Sequence, residues 1–120
     1  MNFNFGNFNF GNFNFGNFND FIQVFANEYC IPGNNILIIG TFEINFIKQL
    51  FNFINCETFF VSDKPGFGID FVVKDYSNLP FEQGSFDIII NFLNLNVNCY
   101  LKKDGINLCI ENKELRVHIN

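Results

Sequence analysis

From Asn17 to Tyr29 the apolar residues Phe18, Phe21, Ile22, Phe25, Ala26 and Tyr29 recur every three or four positions, which is one stripe of a helix. Asn17 or Asn19 can cap it, and Asp20 near its start suits the positive end of the helix dipole. Pro32 and Gly33 then block any helical continuation. The next run, "NILIIG", is apolar throughout and closes on Gly40, as expected of a central strand covered on both faces. In "FEINFIKQLFNFIN" the residues Ile47, Leu50, Phe51 and Ile54 share one face, so a second helix follows. Strand, glycine and helix in that order are the layout of a nucleotide-binding turn, although only one glycine is present.

Four further runs, "TFFVSD", "IDFVVKD", "FDIIINF" and "GINLCIEN", each close on a charged residue or an asparagine or run past one. After a strand-helix unit they predict an α/β fold, a mostly parallel sheet of about five strands with helices against it. Ligand sites in such sheets lie beyond the carboxyl ends of the strands, which puts Gly40, Asp63, Asp75 and Asn91 at one edge. Two links strain the pattern. About six residues separate "FFVSD" from "IDFVV", whereas a parallel crossover usually takes a dozen or more, and Phe92 to Asp104 shows little helical periodicity. If both are loops, part of the sheet lacks helical cover.

The first residues follow another rule. "NFNFG" occurs three times in tandem from Asn2 to Gly16, and a fourth copy breaks down at "NFND". The face carrying the rings flips at every Gly-Asn, so the repeat does not make a simple strand. Three copies with a second Phe also fall short of a five-residue-repeat β-helix. The expected division is a low-complexity segment, residues 1–16, and an α/β domain, residues 17–120. The segment is uncharged and rich in phenyl rings, which makes self-association through it one expectation.

All seven Lys/Arg and all twelve Asp/Glu lie from Asp20 onward, so the net charge of −5 belongs to the α/β part. An acidic surface repels phosphate backbones, and no nucleic-acid partner is expected. No apolar run approaches the ~18 residues of a membrane span, and no secretory signal pattern opens the chain, so the expected location is cytoplasmic, away from membranes. Cys30, Cys56, Cys99 and Cys109 form no CxxC pair, and His118 is the single histidine. Reduced, mostly buried thiols are expected rather than a metal site.

The order of segments resembles class I S-adenosylmethionine-dependent methyltransferases, most closely the small-molecule branch with an "LPF…SFD" signature. The match is best in "SDKPGFGIDFVVKDYSNLPFEQGSFDIII", Ser62 to Ile90, and "YLKKDGINLCIEN" is similar to that family's turn and fifth strand. The resemblance implies a Rossmann-like sheet of order 3-2-1-4-5, a short link between strands two and three, and S-adenosylmethionine as cofactor. It also implies that Gly40, Asp63, Asp75, Tyr76 and Asn91 bind that cofactor. The chemistry agrees: a carboxylate at Asp63 offers two oxygens to the two hydroxyls of a ribose, Asp75 can accept from an exocyclic amine, and Tyr76 can lie against a base. No catalytic acid or base is singled out, because methyl transfer needs chiefly in-line positioning.

The chain departs from that pattern where the cofactor's amino-acid end would sit. Phe42 and Ile44 stand in the second and third glycine places, and Ile38 stands where the pattern often has an acidic residue. About fifteen residues are missing after strand four, and no terminal hairpin is expected after strand five. The functional expectations are a methyltransferase-like protein with impaired or absent catalysis, a non-catalytic module that contacts a protein partner through an uncovered sheet or the Phe/Asn repeat, or a fragment without function.

Overall fold

A computed structural model describes residues 15–40, 43–111 and 114–120. The elements run α1 (Phe15–Tyr29), β1 (Asn35–Ile39), α2 (Ile44–Phe53), β2 (Glu57–Ser62), β3 (Phe71–Val72), β4 (Phe86–Asn91), β5 (Leu101–Glu111) and β6 (Glu114–Ile119), with a 3-10 turn at Asn98–Tyr100. They build one sheet of order β3-β2-β1-β4-β5-β6, parallel except for β6, which returns antiparallel beside β5. The expected order 3-2-1-4-5 is present, and β6 adds a sixth strand. The expectation of no hairpin after strand five is therefore corrected: Ile106 pairs with Ile119 and Leu108 with Val117. In "ELRVHI" the apolar Val117 lies at the core while its neighbours do not, a period-two signal too short to stand out against the charged residues before it.

Both helices cover one face. Phe21, Ile22, Phe25 and Ala26 of α1 and Ile47 and Phe51 of α2 pack on Ile36, Ile38, Phe60, Ile88 and Ile90. These are the stripe positions that the periodicity marked. Helix α1 begins earlier than expected, at Phe15, so Asn17 and Asn19 lie within the helix rather than at its cap, and Asp20 lies beyond the first turn. The self-association expected of the Phe/Asn repeat concerns residues 1–14 above all, which lie outside the described residues.

The second face is covered by loops. Leu37, Ile39, Val61 and Ile89 meet Leu79, Val97, Tyr100 and Leu101 there. The "LPF…SFD" stretch supplies much of this cover. Leu79 is buried and its N–H donates to the Tyr100 hydroxyl at 3.0 Å. Phe81 sits edge-on to Phe71 and Phe86, with centroids 5.1 and 5.0 Å apart. Asp87 accepts the Asn35 N–H at 2.8 Å and meets Lys102 Nζ at 3.1 Å, tying β4 to the start of β1.

The short link between β2 and β3 closes without a helix because Asp70 works at both ends of its own residue. Its carboxylate accepts the Phe60 N–H at 2.9 Å, and its N–H donates to the Phe60 carbonyl at 2.9 Å. The strand expected over "IDFVVKD" is thereby reduced to Phe71 and Val72 at the sheet edge. Such a short edge strand leaves few unpaired backbone groups.

Candidate functional site

Register brings the expected positions together before any side chain is considered. Ile39 pairs with Val61 on one side and Asn91 on the other, and Ser62 pairs with Val72. Gly40, Asp63 and Asn91 therefore leave the sheet at adjoining points of its carboxyl edge, where β1 sits between β2 and β4. That is the switch in strand order, the place where open α/β sheets hold ligands.

Gly40 has φ +114°, and a Cβ built on it would lie 2.9 Å from the Phe92 Cβ. The glycine is thus required twice over, by its backbone conformation and by the ring that crosses it. Phe92 is held there because its N–H donates to the Ile39 carbonyl at 2.9 Å. Past Gly40 the chain reaches α2 through Glu43 at φ 53°, which caps the helix without a side-chain hydrogen bond. Ile44, in the third glycine place, packs over the loop between β2 and β3: a Cβ on Gly68 would meet the Ile44 Cγ2 at 2.7 Å. Phe42 lies outside the described residues.

Asp63 is exposed at the end of β2 and borders two depressions. One, of about 430 Å3, runs along the loop from Ser62 to Ile69 beside Ile44. The other, of about 440 Å3, is lined by Asp63, Lys74, Asp75, Tyr76, Ser77, Leu95 and Asn96. Asp63, Asp75 and Tyr76 thus share one wall. The Tyr76 hydroxyl accepts the Asp63 N–H at 2.9 Å and leaves the Asp63 carboxylate directed by a pinned backbone. The Tyr76 ring packs against the loop-covered face of the sheet, so the side chain acts chiefly as a strut between β2 and β3. The Asp75 carboxyl is held below its ordinary value, first by the Ser77 N–H at 2.9 Å and then by the Ser77 hydroxyl.

Asn91 is fully buried and committed to its own loop. Its Nδ2 donates to the Leu95 carbonyl at 2.6 Å, and its Oδ1 accepts the N–H groups of Leu95 at 3.1 Å and Leu93 at 3.3 Å. That carboxamide shapes the edge by folding residues 92–97 and stands away from the wall formed by Asp63 and Asp75. Lys74, Leu95 and Asn96 join that wall without having been singled out in the sequence. Lys74 adjoins Asp75 and was open to inference, whereas Leu95 and Asn96 arrive only through the Asn91 turn.

The cysteines are free and mostly buried or half-buried, as expected. Cys56 is buried and donates to the Ile31 carbonyl at 3.2 Å, whereas Cys99 is exposed. Burial, with the nearby Cys56, pushes the Cys30 thiol up to about 12. Among the described residues no cluster of His, Cys, Asp and Glu is arranged to hold a metal ion, and no helix is long and apolar enough to cross a membrane.

No family model matches this chain, and no curated protein matches it. Solved structures do. The chain is similar to a putative methyltransferase of Haloferax volcanii solved in complex with the Trm112 methyltransferase activator, at 15% identity and TM-score 0.54 over 73% of this chain and 50% of that one. A putative sarcosine dimethylglycine methyltransferase from Galdieria sulphuraria superposes with TM-score 0.57 at 13% identity, over 78% of this chain and 44% of that one. A cinnamyl alcohol dehydrogenase from Sorghum bicolor also superposes, at 18% identity and TM-score 0.54, over 74% of this chain and 30% of its own length. The chain thus spans half or less of these neighbours, and what it shares with them is the Rossmann-like fold.

Proposed function

We propose that this chain is a methyltransferase-like domain that holds the adenosyl end of S-adenosylmethionine at the carboxyl edge of its sheet, with catalysis impaired or absent. The observation that carries the reading is the shared wall of Asp63 and Asp75 beside the strand-order switch. Two exposed carboxylates on one depression suit a ligand with a diol and an exocyclic amine, and the cavity volume lies within the range of small-molecule sites. The donor set therefore fits the adenosyl half. Asp63 would accept from the ribose hydroxyls and Asp75 from the base, while Tyr76 holds the Asp63 backbone in place and Asn91 shapes the loop opposite.

When bound, the cofactor would supply an activated methyl group. The chain's own residues serve the amino-acid half less well. Ile44 fills the third glycine place and packs on the loop at Gly68, and Phe92 crosses Gly40. With those side chains in the turn, the backbone cannot approach a ligand as closely as a glycine-rich turn does. Binding without efficient turnover follows.

Calorimetric titration of the full chain with S-adenosylmethionine and S-adenosylhomocysteine tests this. Micromolar affinity for both, lost in Asp63→Ala with the thermal midpoint unchanged, is the expected result. A folded chain silent to millimolar ligand would sink the proposal.

A second reading is favoured by the edge at β6. Glu114–Ile119 pairs with β5 on one side only among the described strands, leaving a strand edge open to a protein partner. One structural neighbour was solved with an activator protein bound. A chain silent to the cofactor that is nonetheless recovered as a stoichiometric complex with a methyltransferase would favour this role as a binding module.

A further inference from the structure

The wall of Asp63 and Asp75 serves the nucleoside half of a thioadenosine ligand, and two other segments set what can follow it. With the base at Asp75, after β3, and the ribose at Asp63, after β2, the next strand end along the sheet is that of β1, at Gly40. A substituent on the 5′ carbon therefore comes to the space beside this glycine.

That space is taken. From a Cβ built on Gly40, the Cβ, Cδ2 and Cγ of Phe92 lie 2.9, 3.5 and 3.6 Å away, so the phenyl ring covers the glycine on its open side. The ring is held there, because the Phe92 N–H donates to the Ile39 carbonyl at 2.9 Å and the side chain packs against the helix-covered core. An uncovered glycine lets a ligand reach backbone N–H and C=O groups, whereas a glycine under a ring presents carbon.

The charges point the same way. An amino-acid arm carries an ammonium and a carboxylate, and each needs a partner to replace the water it gives up. Residues 38–44 and 91–97, which meet at Gly40, contain no Lys or Arg, so the carboxylate finds no counter-ion in either segment. Ile38 is fully buried and offers the ammonium nothing. Glu43 is the one charged residue of the two segments and stands at the N-cap of α2. Its negative charge already answers the positive end of that helix, where a ligand carboxylate would otherwise be favoured. A lone carboxylate that attracts the ammonium of an amino acid also repels the carboxylate on the same carbon, and the two effects largely cancel. A small thioether, by contrast, meets the Phe92 ring as one apolar group meets another, and sulfur packs well against aromatic edges.

We propose that the ligands of this site are 5′-thioadenosines without an amino-acid arm, nucleosides that end in a small neutral thioether, such as 5′-methylthioadenosine. This class rests on the adenosyl reading of the same wall and ends recognition at the sulfur. Calorimetric titration of the full chain with 5′-methylthioadenosine and with S-adenosylhomocysteine isolates the arm, because the two share nucleoside and thioether. The expected result is that 5′-methylthioadenosine binds to within about threefold of S-adenosylhomocysteine or more tightly than it. S-adenosylhomocysteine binding tighter by more than about threefold would overturn the proposal and leave the adenosyl site standing. Silence toward both ligands at millimolar concentration would remove the adenosyl site and the proposal with it. Phe92→Ala opens the space over Gly40, so S-adenosylhomocysteine should gain on 5′-methylthioadenosine by about threefold or more in that variant. An unchanged ratio there overturns the block by Phe92 on which the proposal stands. If Phe92→Ala does not fold, the ratio in the parent chain decides alone.

Discussion

Replacing Gly40 with alanine tests whether this glycine is required by the fold itself. At φ +114° an L-residue is strained by about 1–2 kcal/mol or more, whatever space is available. The new Cβ would also lie 2.9 Å from the Phe92 Cβ, a distance the two groups cannot keep. Phe92 cannot swing away at no cost, because its N–H is bonded to Ile39 and it packs against the helix-covered core. Overpacking of that kind costs about 1–3 kcal/mol. Together the expected loss is about 2–5 kcal/mol, against a total stability of roughly 6–18 kcal/mol for a chain of 120 residues. With a urea m-value of about 2 kcal/mol per molar, the midpoint should fall by roughly 1–2.5 M. Urea unfolding followed by circular dichroism measures it. Phe92→Gly, which takes away the Cβ that the new methyl would strike, separates the two causes. It removes the collision but leaves the backbone strain, so Gly40→Ala should cost only about 1–2 kcal/mol in that background, a coupling of about 1–3 kcal/mol in a double-mutant cycle. A midpoint within error of the parent, or additive single and double variants, would refute the account and leave Gly40 explained by a ligand alone.

Tyr100→Phe leaves the Leu79 N–H without its acceptor inside the loop-covered face and should lower stability by about 1–3 kcal/mol, read from the urea midpoint. At pH 8 iodoacetamide should modify the exposed Cys99 well before Cys30, whose thiol burial has pushed up to about 12; equal rates by mass spectrometry would contradict that. Asp75 has its folded pKa depressed by Ser77, so its contribution is present above the ordinary carboxylate pKa and is lost as pH falls through the lower folded value. The thermal midpoint of Asp75→Asn should therefore trail the parent from neutral pH down to about pH 4 and converge with it only as the pH falls further, through the lower folded value. An offset that stays constant well below that pH would count against the Ser77 contact.

The neighbour relations in the chain were enough to define the helices, the strands and the site's edge, while the strand order followed from the family resemblance. Periodicity picked out Phe21, Ile22, Phe25, Ile47 and Phe51, because a residue every three or four positions can reach only one face, and those residues are the buried ones. Apolar runs closed by Asp63 and Asn91 located the carboxyl edge, because a strand ends where its side chains return to water. The Phe92–Gly40 crossing, the Tyr76–Asp63 strut and the Asn91 loop join residues whose spacing carries no periodic signal, so only the folded chain shows that Asn91 is engaged by its own turn. Strand β6 is of the same kind. Pairing of Asn107 with His118 is a property of two strands brought edge to edge, and nothing along either strand alone announces it. Local pattern determines what each segment can become, while the hydrogen bonds between distant segments decide what each polar side chain is left free to do.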